Sequence, residues 1–256
     1  MTLETAVALA FAHLLADFVL QPDWIMANKR RFAGIAAHIA IVAGASWLAL
    51  GLPPSGLLPV LGLALVHGGI VAGMLAWADR AARLGTPKRA FAAFTIDQAA
   101  HFLTVWLFAT LWPGAWAAGL WAAPGLAAEL PGIARLPEAM ALAAGLIATV
   151  WAGGYAVQEL MAGLKPPPNA ETDSSLPQGG QLIGRLERLM ILMLILARQP
   201  DGIGLLIAAK SILRFNELAR DADRRASEYV IIGTLASFAW AIGTSWATAT
   251  ILAALP

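Results

Sequence analysis

The chain contains no cysteine and few charged side chains for its length of 256 residues. Without cysteine it can form neither a disulfide bond nor a thiolate ligand for a metal ion. Charged residues make up 13% of the chain, against the roughly 25% that is typical of soluble domains. The net charge of +1 indicates neither a nucleic-acid partner nor a strongly acidic one. Most of the protein surface therefore cannot face water.

Long apolar runs take the place of the missing charge, since hydrophobic residues make up 59% of the chain. Crossing ~30 Å of hydrocarbon requires a run of ~20 apolar residues. Runs of about this length lie at residues 4–21, 33–51, 57–78, 90–112, 138–160 and 227–250. The first of them lacks the basic start of a signal peptide, so we expect it to remain as a span. The sequence thus predicts an all-α, polytopic integral membrane bundle.

The number of spans depends on two shorter segments later in the chain. Residues 186–198 and 202–215 are apolar but 13 and 14 residues long, and Pro200 lies between them. Such lengths are typical of a re-entrant hairpin as much as of two tilted spans. The predicted span count is therefore six to eight.

The basic residues indicate which side of the membrane each loop faces. Fourteen of the 17 lie in four loops that share one side if the N-terminus is outside. Loops rich in lysine and arginine face the cytoplasm, so we predict a multi-pass protein of a bacterial inner membrane with its N-terminus outside. The fourteen are Lys29, Arg30, Arg31, Arg80, Arg83, Lys88, Arg89, Lys165, Arg185, Arg188, Arg214, Arg220, Arg224 and Arg225.

One stretch has the composition of a linker. Lys165–Gln181 contains four prolines and shows no apolar periodicity, which is typical of a mobile loop outside the membrane. We therefore predict three parts. These are an N-terminal membrane bundle at 1–160, a cytoplasmic linker at 161–184, and a helical hairpin with the last span at 185–256.

All four histidines of the chain fall within the first four predicted spans. His13 and Asp17 are four residues apart, as are Asp97 and His101, which puts both members of each pair on one helix face. The second and third spans carry one histidine each. At ~1.5 Å per residue, these six side chains lie roughly 6 to 17 Å from the cytoplasmic ends of their spans. We therefore expect them to meet inside the bundle.

A divalent metal ion would satisfy these groups together, since unpaired charged or imidazole groups are costly in lipid. Mixed imidazole and carboxylate ligands suit Zn, Fe or Mn better than Mg or Ca. The six candidate ligands, for one ion or a pair, are His13, Asp17, His38, His67, Asp97 and His101. The alternative is that each histidine and aspartate pair is a hydrogen bond that holds helices together.

A second set of charged residues lies beyond the linker, and it comprises Glu187, Arg188, Lys210, Arg214 and Glu228. Lys210 falls within an apolar segment, so it needs an acidic partner such as Glu187 or Glu228. The set is either a group of structural ion pairs or a cationic pocket for an anionic head group.

Several segments of the chain carry a family resemblance, and they read HLLADFVLQPDWIMANKR, FTIDQAAH, GRLERLMILMLILARQPDGIGLLIAAKSILRF and SEYVIIGTLASF. They resemble the bacterial membrane family catalogued as domain of unknown function 3307. The resemblance implies that the residues recurring in that family are, in this chain, His13, Asp17, Gln21, His38, Asp97, Gln98 and His101. It also implies one ligand fewer, because relatives tend to have an aspartate where this chain has Val71. The family has no established activity.

Two classes of function fit this pattern. In the first, a metal site activates water against a lipid or another membrane-partitioned ester or phosphoester. His13, His101 and Asp97 are then the expected ligands, Asp17 is a ligand or base, and Asp17 and Asp97 are the candidate catalytic residues. In the second, the same groups relay protons or bind an ion in a coupled transporter. A non-catalytic membrane subunit is the third reading, and in every case the lipid bilayer is a partner.

Overall fold

The computed structural model describes residues 2–84, 90–164, 178–218 and 224–256, which are almost entirely helical and contain no β-strand. The α-helices in these ranges are α1 (Leu3–Phe18), α2 (Asp23–Asn28), α3 (Phe32–Ala49), α4 (Leu57–Arg83), α5 (Ala90–Leu111), α6 (Pro124–Glu129), α7 (Leu136–Leu146), α8 (Gly153–Met161), α9 (Gly179–Leu196), α10 (Asp201–Leu218) and α11 (Arg224–Ala254). Short 3₁₀ turns lie at Pro54–Gly56, Leu120–Ala122 and Pro131–Arg135, and a π-helical segment, Ile147–Ala152, joins α7 to α8.

Five helical stretches of the described residues are long and apolar enough to cross a membrane. They are Phe32–Ala49, Pro54–Arg83, Ala90–Leu111, Gly132–Met161 and Ser227–Ala254. α1 is shorter than its predicted span of residues 4–21, because the helix ends at Phe18 after 16 residues. The all-helical class is therefore confirmed, whereas the count of six to eight spans and the outer N-terminus stay predictions.

The hairpin of α9 and α10 has longer arms than its apolar segments predicted. Each helix has 18 residues. α9 begins at Gly179 and includes polar residues that precede its apolar segment, and α10 continues to Leu218, past the end of its apolar segment. The predicted break is present: Arg198 adopts a positive φ of 57°, and the Gln199 N–H donates to the Leu194 carbonyl at 2.8 Å. This pattern closes the end of a helix. Residues 165–177 of the predicted linker lie outside the described part of the chain.

The chain divides into two compact units. Unit 1 comprises residues 1–147 and 251–256, and unit 2 comprises residues 148–250. The predicted division at residues 161–184 stays a prediction.

Helix α1 lies at the centre of unit 1, where it packs against α3, α5 and α7. Its first half joins an apolar core with the facing ends of α3, α4 and α5. The buried members of this apolar core are Val7, Ala8, Leu9, Ala12, Ala49, Leu50, Val60, Leu63, Val105, Ala109, Ala115, Met140 and Ala141. The histidines and aspartates follow it at the end of the unit where α1 stops.

Helices α3 and α4 approach each other closely at Gly68. A Cβ atom at this position would lie 2.4 Å from Ile39 Cδ1, which is closer than packed side-chain atoms come. The preceding residues in the two helices are His38 and His67, whose Nε2 atoms are 2.9 Å apart. The lack of a side chain at Gly68 therefore sets the distance between two candidate ligands.

We predict that Gly68→Val destabilises the protein by about 1–3 kcal/mol, because the added side chain overpacks the contact between α3 and α4. The matched control is Gly69→Val, since a Cβ atom on the adjacent glycine meets nothing within 4 Å and both changes alter helix propensity equally. Thermal unfolding in detergent measures the difference. Equal losses in the two variants would contradict close packing at Gly68.

Unit 2 contains α8 to α11, and α9 packs against both α8 and α10. Its core consists of Ile191, Ile195, Ile203, Phe238 and Ala241. The π-helical segment accepts two hydrogen bonds from outside itself: Trp240 Nε1 donates to the Ala148 carbonyl at 2.9 Å, and Arg188 Nη2 donates to the Val150 carbonyl at 2.9 Å. Single π-helical turns are frequent at functional sites.

Candidate functional site

The four histidines meet in the interior of unit 1, one each from α1, α3, α4 and α5. They are His13, His38, His67 and His101, and each is at most 4% exposed. The i, i+4 spacing within α1 adds Asp17 to the group, and the same spacing within α5 adds Asp97. The structure thus brings together all six residues that the sequence indicates.

The Asp17 carboxylate lies at the centre of this cluster. Its Oδ1 atom is 3.2 Å from His67 Nε2 and 3.4 Å from His38 Nε2. Its Oδ2 atom is 3.7 Å from His13 Nδ1 and 4.0 Å from His101 Nε2. Because the side chain is 12% exposed, the four rings replace most of the water that a carboxylate normally holds. Each oxygen therefore faces its own pair of histidines.

His38 is held from both of its ring nitrogens. The Gln21 side-chain amide donates to His38 Nδ1 at 3.1 Å, and His38 Nε2 lies 2.9 Å from His67 Nε2. Since Nδ1 accepts a proton, Nε2 carries the hydrogen of the neutral ring and donates it to His67. Gln21 follows Asp17 by four residues, the spacing that separates His13 from Asp17, but it lies after the end of α1 at Phe18.

A chain of hydrogen bonds fixes the orientation of His13. Gln98 Nε2 donates to Asp97 Oδ2 at 3.0 Å, which turns the Gln98 carbonyl oxygen toward His13. His13 Nε2 then donates to Gln98 Oε1 at 3.3 Å, so the neutral ring carries its lone pair on Nδ1. That nitrogen is buried, faces Asp17 and has no hydrogen-bond partner among the described residues.

His101 is buried with both ring nitrogens lacking a hydrogen-bond partner among the described residues. Its ring stacks on the His67 ring with 4.0 Å between centroids and 13° between planes. Asp97 Oδ1 lies 3.8 Å from His101 Nε2, which exceeds hydrogen-bonding distance. Leaving a buried polar group unsatisfied costs about 1–3 kcal/mol, so the arrangement favours a further binding partner at this ring.

The donor atoms have spacings that suit a metal ion. Two ligands bonded tetrahedrally to zinc at about 2.0–2.1 Å are about 3.3 Å apart. The Oδ1 atom of Asp17 and the Nε2 atoms of His38 and His67 are separated by 2.9, 3.2 and 3.4 Å. Donor atoms of His13, Asp17 and His67 also lie within 4.8 Å of one another. The cluster therefore fits a single divalent ion near Asp17.

A small cavity adjoins the cluster on the side of the apolar core. It measures about 10 Å³ and is lined by three histidine rings together with Ser46, Thr104 and apolar side chains. This volume is about the room that one water molecule needs. The buried Ser46 hydroxyl lacks a hydrogen-bond partner in the described part of the chain. The cavity can therefore hold a small polar ligand beside His101.

Lys29 lies near this site, which the sequence reasoning missed. It was predicted solely as a basic loop residue, yet it is partly buried and lies within electrostatic reach of Asp17 and Asp97. Burial lowers the pKa of its ammonium group, and the two carboxylates act in the opposite direction. Its place in the segment HLLADFVLQPDWIMANKR is the signal that could have identified it. Ser46 and Thr104 were also missed, although each follows a histidine at helical spacing.

The second set of charged residues meets in unit 2 in part. Lys210 Nζ lies 2.7 Å from Glu187 Oε2, which confirms the expected acidic partner. Arg188 is 4% exposed. Glu228 is exposed near the start of α11, and the side chain of Arg214 lies outside the described part of the structure.

The family comparison covers the part of the chain that contains the histidines. Residues 6–121 match the model of the family described as protein of unknown function (DUF3307). The match confirms the resemblance over this region, whereas the tail segments that also suggested it lie outside the matched residues. No curated protein and no solved structure matches the chain significantly.

We predict that Asp17→Asn destabilises the protein by about 1–3 kcal/mol, because the amide replaces one of the two buried oxygens that the histidine rings face. Asp97→Asn is the matched control, because Asp97 is 24% exposed and faces one histidine, whereas Asp17 faces four. We expect a clearly smaller loss for it. Thermal unfolding of both variants in one detergent measures this, and an equal or larger loss in Asp97→Asn would contradict the central place of Asp17.

Proposed function

We propose that unit 1 is a metal-dependent hydrolase centre acting on a membrane-partitioned ester, with a phosphoester as the favoured class. The observation that supports it is the set of buried nitrogens without hydrogen-bond partners, on His13 and His101, around the Asp17 carboxylate. A divalent ion of Zn, Fe or Mn would supply Lewis-acid assistance there. His13, His38, His67 and Asp17 would hold it.

The outer contacts of the ligands support this choice. Metal-binding histidines usually donate their second N–H to an oxygen, which fixes the ring. His13 already does so toward Gln98. Gln21 can do the same for His38 if its amide turns by 180°, since the oxygen then accepts from Nδ1–H and the Nε2 lone pair becomes free.

The charge of the cluster favours one ion rather than two. Two carboxylates, Asp17 and Asp97, balance the two charges of one divalent ion. A second ion would leave an excess of positive charge in a buried site beside Lys29, which is costly at low dielectric. The replacement of an expected aspartate by Val71 points the same way.

His101 acts as the general base in this proposal. Its ring borders the cavity that has room for one water molecule, and its Nε2 atom faces Asp97 at 3.8 Å. A histidine that takes a proton from water needs an anion to stabilise the resulting imidazolium. Asp97 supplies that charge, while Lys29 offers a cation at the more exposed edge, which suits a phosphate group.

The apolar core beyond the cluster favours hydrolysis over transport. A proton or ion pathway across the membrane needs polar groups along its length. The described interior of unit 1 passes from Ser46 and Thr104 into an apolar core that includes Val60 and Ala109. The histidines and aspartates are therefore separated from the opposite end of unit 1 by apolar packing, which suits a site open at one end.

We further infer that the end of unit 1 carrying Asp17 faces the cytoplasm of the inner membrane. The positive-inside rule supports this, because Lys29, Arg30 and Arg31 follow directly. The charged groups of Lys29, Arg30 and Arg31 then lie at the cytoplasmic surface of the membrane, where the phosphate head groups of lipids are found. A membrane-partitioned phosphoester would reach the cluster from that side.

The first test combines metal content and turnover. In protein purified without chelator we predict about one divalent ion per chain by elemental analysis. His67→Ala should abolish metal binding, whereas His101→Ala should retain the metal and lower hydrolysis about 10²–10⁴-fold. Val105→Ala is the control, since this buried side chain lines the same cavity without a ligating atom, and it should retain both.

Hydrolysis is measured with p-nitrophenyl phosphate and p-nitrophenyl decanoate in mixed micelles. Hydrolysis of p-nitrophenyl phosphate would support a phosphoester substrate. Hydrolysis of p-nitrophenyl decanoate alone would indicate a carboxylic ester substrate instead. Wild-type protein without stoichiometric metal would contradict the metal centre. Loaded protein that hydrolyses neither compound would contradict the enzyme and leave a metal-binding subunit.

The orientation has its own test at the two ends of α4. Ser55 and Leu84 are exposed and flank α4, which forms most of the candidate span Pro54–Arg83, and the chain has no native cysteine. We predict that Ser55→Cys reacts with an impermeant thiol reagent added outside intact cells, and that Leu84→Cys reacts only after the cells are opened. The opposite labelling pattern would show that the orientation is reversed. Labelling of both cysteines from outside would contradict the prediction that α4 crosses the membrane.

A further inference from the structure

Unit 2 contains a large cavity that the proposed hydrolase centre does not use. Its volume is about 530 Å³, which is within the usual range of small-molecule sites. The wall is formed by the end of the π-helical segment, by α8, by the first half of α9 and by the first part of α11, with Lys210 from α10. We propose that this cavity binds the phosphate group of an anionic ligand.

The charges of the wall favour an anion. Arg185, Arg188 and Lys210 line the cavity, and Glu187 is the one carboxylate among the lining side chains of the described residues. Glu187 is already engaged by Lys210 at 2.7 Å. The lining therefore carries an excess of two positive charges, three cations against one carboxylate. An anionic group with a charge of one or two would balance it.

Arg188 is the residue that points to the ligand. It is 4% exposed, and its guanidinium donates to Ser237 Oγ at 3.1 Å and to the Val150 carbonyl at 2.9 Å. Neither acceptor is charged, and Nε has no hydrogen-bond partner in the described part of the chain. A buried guanidinium with uncharged partners retains most of its attraction for an anion. Its planar fork matches a phosphate group.

Three glycines hold the guanidinium in this position. A Cβ atom at Gly153 would lie 3.0 Å from Arg188 Cδ, at Gly154 it would lie 3.2 Å from Nη2, and at Gly184 it would lie 3.1 Å from Nη1. Any larger residue would push against the side chain. The accepting carbonyl of Val150 belongs to the π-helical segment, and single π-helical turns are frequent at functional sites. The site is thus preorganised around one arginine.

The other lining residues suit a phosphate that carries an apolar group. Hydroxyl-bearing side chains of Tyr229 and Thr234 line the cavity together with the apolar Val157, Met161 and Ile183. An inorganic anion alone would leave these apolar walls unfilled. Lipid phosphate and free phosphate share the chemistry that Arg188 and Lys210 recognise, and the experiment separates the two.

The experiment measures thermal stabilisation of the full-length protein in detergent by three added compounds. They are dioleoyl phosphatidic acid, dioleoylglycerol, which has the same chains without the phosphate, and inorganic phosphate. We expect stabilisation by phosphatidic acid and none by dioleoylglycerol. Stabilisation by inorganic phosphate at similar concentration would assign the site to free phosphate. No stabilisation by either phosphate compound would overturn the proposal.

Variants assign the effect to the cavity. Arg188→Gln should abolish stabilisation, and Arg135→Gln should retain it, since it removes one positive charge from an exposed residue of unit 1. Gly180→Phe keeps every charge and adds bulk to the lining where a Cβ atom meets nothing within 4 Å, so it should weaken binding without harming the fold. Stabilisation that persists in both Arg188→Gln and Gly180→Phe would place the binding elsewhere and overturn the inference.

Discussion

The geometry of unit 1 depends on one constraint, the burial of the Asp17 carboxylate among four histidine rings. A carboxylate that is 12% exposed has lost most of its water and must be compensated by its neighbours. Rings from three other helices surround it together with His13, and the proposed divalent ion supplies the positive charge that neutral rings lack. The apolar core holds the helices together, while Asp17 specifies how they are aligned at this end.

The sequence predicted the composition of the site better than its arrangement. The i, i+4 spacing identified Asp17 and Asp97 as members of equivalent pairs, because helical periodicity alone decides which side chains share a face. It could not show that Asp17 is central and Asp97 peripheral, since tertiary packing of four helices decides that. His38 has no polar partner at i, i+4 spacing in its own helix, yet its Nε2 atom makes the shortest contact of the cluster, 2.9 Å to His67.

The helix boundaries show the same limit. Apolarity predicted the spans, but backbone hydrogen bonding decides where helices end, so α1 stops at Phe18 and α9 begins at Gly179.

The two sites also differ in the sign of their charge imbalance. The cluster around Asp17 has two carboxylates and favours a cation, whereas the cavity around Arg188 has excess positive charge and favours an anion. Each charged set inside the protein thus indicates a ligand of opposite charge.

X-ray absorption spectroscopy of the purified protein, prepared without chelator, tests the central claim most directly. The account predicts an absorption edge of Zn, Fe or Mn with nitrogen and oxygen neighbours at about 2.0–2.1 Å and the outer-shell scattering of several imidazole rings. The same spectrum should disappear when His67 is replaced by alanine. A preparation without a metal edge, or with a metal surrounded by water oxygens alone, would show that Asp17 and the histidines hold each other rather than an ion.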